Sequence, residues 1–144
     1  GGVDGVDGLE ALPFEAIGAL EAFALEAFAL EAFGDHQVTN VSTQKLVRTL
    51  GLRRREPTLA AGRSTAVDPF YGIAPMPELP TTGSALFVWD FGTPTPPDTN
   101  TPNRGGDDPH GDLGDETSAL ALLVSFVNDG TLIDVCGEGP CVGG

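Results

Sequence analysis

Apolar positions in the first quarter of the chain recur at threes and fours. Leu12, Ala16, Leu20, Phe23, Ala27 and Leu30 make one stripe, and Phe14, Ile17, Leu25 and Phe28 a second on a roughly opposite side. This spacing predicts a helix over 13–33. Pro13 suits its first position, Glu15 its first turn, and Gly34 the position just past its end. Ala, Leu and Glu dominate between these marks and are strong helix formers. The pentapeptide Ala-Leu-Glu-Ala-Phe is written three times over 19–33. Five residues advance about 500° around a helix, roughly 140° net, so successive copies point in different directions. A helix apolar on two faces needs neighbours on both. Leu12, Phe14, Ile17, Leu20, Phe23, Leu25, Phe28, Leu30 and Phe33 are therefore the candidate interface residues, packing between copies of the chain or against another protein subunit.

A second, shorter helix is predicted from near Ser42 to Gly51 or Pro57, with Leu46, Val47 and Leu50 as its apolar side. Lys45, Arg48 and the run Arg53, Arg54, Arg55 gather positive charge at its far end, which the helix dipole favours. The run reads either as a helix end paired with acids or solvent, or as a basic element for an anionic surface. FYGIAPMPELP predicts an extended path with Phe70, Tyr71, Ile73 and Met76 packing underneath. SALFVWDFGT predicts a strand, Leu86, Val88 and Asp90 on one side and Phe87, Trp89 and Phe91 on the other. In ALALLVSFVNDGTLIDVC two apolar runs flank Asn128-Asp129-Gly130, which predicts a hairpin. The expected class is thus α+β: a long amino-terminal helix, a short basic helix, and a small antiparallel β-rich region with long Pro/Gly-rich loops. Two parts are expected, a helical arm over 1–56 and a β-rich region over 57–144.

Composition sharpens this picture in three ways. Gly 20 and Pro 12 in 144 residues argue against helices throughout. Twenty-one acids against seven bases give a net charge of −14, the wrong sign for a nucleic-acid partner. Charge also comes in blocks: residues 1–35 hold eight acids and no base, 36–67 six bases and one acid, and 68–144 twelve acids and Arg104. No stretch of 18 apolar residues occurs, and carrying Glu15, Glu21, Glu26 and Glu31 through hydrocarbon costs roughly 2–3 kcal/mol each, so no transmembrane span is expected.

Chemistry-bearing motifs are sparse. Cys136 and Cys141, in CGEGPC, are spaced to close a small disulfide loop, which fits an oxidising setting. Residues 93–116 form a long loop in which Asp107, Asp108, Asp112, Asp115 and Glu116 are candidate calcium ligands, although the ordered spacing of an EF-hand is missing. His110 stands among acids, far from His36 in sequence, with no Ser or Cys in a nucleophile elbow beside it. Asn40-Val41-Ser42 matches a glycosylation sequon, a pattern that also arises by chance. No phosphate loop or catalytic constellation emerges, and no cofactor is expected beyond the calcium candidate. The function expected from sequence is a non-enzymatic structural subunit, extracellular or in the cell envelope, forming a homo- or hetero-oligomer through its first helix. The alternatives are a secreted binding module built on the acidic loop, and a precursor whose acidic leader guides processing of the cysteine-bearing tail.

Overall fold

A computed structural model of the chain describes residues 26–144. In chain order the elements are β1 (Phe28–Phe33), α1 (Asn40–Leu50), β2 (Arg53–Arg54), β3 (Thr81–Thr82), β4 (Ala85–Asp90), α2 (Asp112–Asp115), α3 (Thr117–Asp129), β5 (Thr131–Leu132) and β6 (Cys141–Val142). The larger sheet is built on β4. On one edge β1 runs parallel to it along its whole length, from Phe28 opposite Ala85 to Phe33 opposite Asp90. The other edge is shared end to end by β2 and β6, also parallel. A separate antiparallel pair joins β3 to β5. The sheet thus draws strands from both sides of residue 56.

Parallel sheets bury both faces, so their strands read as continuous apolar runs. All six residues of β4 are buried. Leu86 and Val88 join Phe33, Val47, Leu52, Phe70 and Ile73 on the α1 face. Ala85, Phe87 and Trp89 join Ala119, Leu122, Leu132 and Cys141 on the α3 face. The two-sided pattern expected for this strand is what occurs, with core on both sides.

The expected fold class is corrected at two elements. The third pentapeptide, expected to end a long helix, is strand β1, and residues 13–25 of that expected helix lie outside the described residues. Period two sorts its side chains: Phe28 and Leu30 lean on the α3 cluster, Phe33 enters the α1 cluster. Helix propensity is a weak preference, and pairing with a buried central strand overrides it. Secondly, the expected carboxy-terminal hairpin is replaced by helix α3. Ala119, Leu122 and Phe126, three and four apart, form its inner side, and Gly130 ends it at φ 74°. A glycine at positive φ serves a helix C-cap as well as a hairpin turn, so the Asn-Asp-Gly signal carried both meanings. Among the described residues the result is a mixed parallel and antiparallel architecture with three short helices, which corrects the expected α+β class with its antiparallel β-rich region.

The basic helix is present as α1, capped by Thr39 and ended by Gly51 at φ 69°. Its inner side is Asn40, Gln44 and Val47, while Leu46 and Leu50 are exposed. The arginine run splits by strand alternation. Arg54 pairs with Glu56, whereas Arg55 is buried and donates to the carbonyls of Pro57, Gly137 and Gly139. Arg55 thereby holds the loop closed by the Cys136–Cys141 disulfide. Phe70 and Ile73 are buried as expected, but Tyr71 is exposed. Among the described residues no helix is long and apolar enough to cross a membrane.

Candidate active site

Because β1 and β4 are parallel neighbours, the loops that leave them emerge at the same end of the sheet. Ligands in open parallel sheets bind at that carboxyl end. Gly34 and Asp35 follow β1 directly, and the long loop after β4 returns to meet them through Asn103, Asp108 and His110.

Gly34 is the knot. Its N–H donates to Asn40 Oδ1 at 2.9 Å and its carbonyl accepts from Asn103 Nδ2 at 3.1 Å. Asn40 Nδ2 donates in turn to the Ala32 carbonyl at 2.8 Å. Thr93 Oγ1 donates to the Phe33 carbonyl at 3.0 Å. The strand end is therefore fixed by three polar side chains, all buried. Asn40, the sequon residue, has both ends of its amide committed inside the protein and is not presented for glycosylation.

Asp35 comes next and is turned by its own backbone. Its Oδ1 accepts from Gln37 N at 2.7 Å and Val38 N at 2.9 Å, an Asx turn that fixes the carboxylate. Its Oδ2 faces His110 Nδ1 at 2.8 Å. A carboxylate only accepts, so Nδ1 carries the proton and Nε2 is the ring's free position. The Asp35 side chain is 9% exposed and the His110 side chain 43%. This is a shielded acid orienting an accessible base. The hydrogen bond to Asp35 raises the His110 pKa above its ordinary 6.5, outweighing desolvation.

Asp108 binds the two loops together. Its Oδ1 accepts from the backbone N–H groups of His36 at 3.2 Å and His110 at 3.1 Å, and its Oδ2 from Gln37 Nε2 at 3.0 Å. These bonds, Gln37 first, hold its carboxyl below the usual range. His36 Nε2 lies 3.2 Å from the Gly105 carbonyl. At the start of the same loop Arg63 grips Asp90 with two nitrogens, donates to the Thr93 carbonyl at 2.8 Å and lies 5.2 Å over the Phe33 ring. Burial pushes the Asp90 carboxyl up, but Arg63 and the Gly92 N–H prevail and hold it below its ordinary value.

Beside the pair is a cavity of about 140 Å³ whose wall includes Leu30, Glu31, Thr43, Asp35, His110 and Leu113. Glu31 is 3% exposed. Its Oε1 accepts from Gln44 Nε2 at 3.2 Å, while its Oε2 has no hydrogen-bond partner. Burial outweighs the lowering effect of the Gln44 and Asn40 amides and, with some repulsion from Asp35, pushes its pKa up to about 8.

Of the residues expected to carry function, Cys136 and Cys141 form the disulfide. Phe28, Leu30 and Phe33 pack inside their own chain. Leu12, Phe14, Ile17, Leu20, Phe23 and Leu25 lie outside the described residues. Among the calcium candidates, Asp108 links the two loops, Asp112 and Asp115 sit on α2, and Glu116 caps α3. Among the described residues no three His, Cys, Asp or Glu side chains are grouped to hold a metal ion. Asp35 and Glu31 were missed from sequence because both fell within or beside the expected helix. The available signal was Gly34-Asp35 directly after an apolar run, legible once 28–33 reads as a strand.

No protein-family model matches the chain, and no curated protein or solved structure matches it significantly.

Proposed function

We propose that Asp35 and His110 are the acid–base half of a hydrolytic centre acting on acyl bonds, esters in the first place. The observation that carries this reading is the 2.8 Å contact of His110 Nδ1 with the shielded Asp35 carboxylate, on a ring still 43% exposed. In hydrolytic triads an acid held against Nδ1 fixes the tautomer and stabilises the imidazolium, while Nε2 takes the nucleophile's proton. The order along the chain supports it too. In α/β-hydrolases the nucleophile comes first, then Asp or Glu, then His, around the carboxyl end of a parallel sheet. Asp35 and His110 follow that order on loops leaving neighbouring parallel strands. The comparison is one of geometry and chain order. Residues 1–25 contain no Ser, Thr or Cys. Residues 26–34 contain none either, so no such nucleophile precedes Asp35 in these 144 residues.

The chain by itself is testable, because a basic imidazole attacks activated esters directly. Nε2 adds to the carbonyl carbon of p-nitrophenyl acetate, p-nitrophenolate leaves, and water then hydrolyses the acetyl-imidazole. The expected result is turnover above that of free imidazole at equal concentration, lost in His110→Ala. The rate should rise with pH through an ionisation above 6.5, since only the deprotonated ring attacks and Asp35 favours the protonated one. Asp35→Asn should lower that ionisation towards the ordinary value. Full turnover in His110→Ala, or an Asp35→Asn profile identical to wild type, would overturn the reading.

A second reading, association with another polypeptide, has its own support in α3. Leu120, Leu123, Val124 and Val127 are spaced by threes and fours on its outer side and are all exposed. The first helix, which motivated an assembly role from sequence, no longer supports it over 28–33.

A further inference from the structure

We propose that α3 pairs with α3 of a second copy of this chain, antiparallel, about a two-fold axis passing between Leu123 and Val124. This rests on the second reading above, association through α3, and names the partner. At about 100° per residue around a helix, Leu120 and Val127 fall within about 20° of one line, and Leu123 and Val124 lie about 50° to either side of it. All four are exposed. Leu120 and Val127 also stand equally far along the helix from the midpoint of Leu123 and Val124. The stripe is therefore its own complement. Turning a second copy end for end about that midpoint sets Leu120 of each chain against Val127 of the other. It also brings Leu123 and Val124 each against its own counterpart. A patch that maps onto itself is what an isologous two-fold contact requires.

Charge singles out the same partner. From Thr117 to Asn128 the helix carries no charged side chain, so two acidic chains meet along it without burying a carboxylate. The other exposed positions on that length, Thr117, Ala121 and Asn128, are uncharged as well. No acid flanks the stripe between its ends to select a basic partner. A parallel pair would align like helix ends and bring Glu116 against its own copy. The antiparallel pair sets the helix dipoles head to tail and keeps the two Glu116 side chains about 20 Å apart, the length of a 13-residue helix. A seam that short falls below the roughly 800 Å² per partner of a standard interface, so the pair dissociates on dilution.

The test places single thiols at exposed α3 positions of the full chain, in which Cys136 and Cys141 are already bonded to each other. A disulfide reaches only between facing positions, so the pattern of cross-links reports the register. Under mild oxidation Val124→Cys should cross-link to itself. Leu120→Cys and Val127→Cys should each stay mostly monomeric alone, yet form the mixed dimer when combined, identified by mass under non-reducing conditions. Self-cross-linking of Leu120→Cys without the mixed dimer would overturn the antiparallel arrangement. Independently, alkylation of Val124→Cys by iodoacetamide should slow several-fold between low and high micromolar protein. Fast alkylation at every concentration, with no cross-links, would overturn self-pairing and leave a different polypeptide as the partner of the stripe. Slow alkylation at every concentration would show that α3 is covered within a single chain, and the second reading would fall together with this inference.

Discussion

Gly34 shows how one residue without a side chain holds a site together. Its φ of 92° lies in the region L side chains rarely adopt, and a Cβ there would come 2.1 Å from Thr93 Oγ1 and 3.2 Å from Asn103 Nδ2. Those two side chains are the ones that tie the strand end to the returning loop. Gly34→Ala therefore meets backbone strain and steric overlap together and cannot relieve one without worsening the other. The expected loss is about 2–4 kcal/mol of unfolding free energy, read from urea denaturation of both chains. A loss within about 0.5 kcal/mol, the range of ordinary surface changes, would show that the loop gives way freely and that the knot is weaker than its hydrogen bonds imply. Chain direction matters as well, because Asp35 inherits its aim from the turn that Gly34 begins.

At the level of elements, α3 is the piece whose identity the chain's own chemistry decides. Glu116 is its N-cap: the carboxylate accepts from Ser118 N at 3.1 Å and from Ser118 Oγ at 2.6 Å. Ser118 Oγ in turn accepts from Trp89 Nε1 at 3.1 Å, linking the helix start to the central strand. Glu116→Ala should cost about 1 kcal/mol, the usual worth of a cap. It should also change the emission of Trp89, the chain's one tryptophan. An unchanged spectrum with unchanged stability would mean that the cap is ornamental. Some elements were legible in the sequence and others were not, for a shared reason. β4 was legible because five consecutive apolar or aromatic residues, Ala85 to Trp89, fit a buried strand however their neighbours fold. α1 was legible from its Gly51 stop and basic end. β1 was not, since Ala-Leu-Glu-Ala-Phe has local helix propensity and becomes a strand only where β4 offers a partner six residues long. For α3, residues such as Val124, Phe126 and Val127 favour strands locally, while Glu116 and Gly130 at its ends favour a helix. The Asp35–His110 pair was illegible for the same cause. Seventy-five positions separate the two residues, and only the parallel pairing of β1 with β4 brings them to one end.

For the molecule as a whole, the two faces of the sheet are finished differently. The α1 face is closed over by the segment carrying Phe70 and Ile73. The α3 face ends in a helix whose outer side still exposes Leu120 at 42%, Leu123 at 38%, Val124 at 57% and Val127 at 72%. On the second reading proposed above, this stripe is where another polypeptide would pack. Opposing it is the net charge of −14, which repels like copies and is screened by salt. Association through α3 should therefore strengthen as salt is raised, the opposite of what ion pairs at an interface would give. In sedimentation equilibrium at micromolar concentration the expected mass lies above the 14.8 kDa of one chain and grows with sodium chloride. The double variant Val124→Lys, Val127→Lys separates the two forces. It brings the charge nearer neutrality, which by itself favours association, while it removes the apolar stripe. Dissociation of that variant would assign the contact to apolar burial on α3; a mass unchanged from wild type would place any association elsewhere on the molecule.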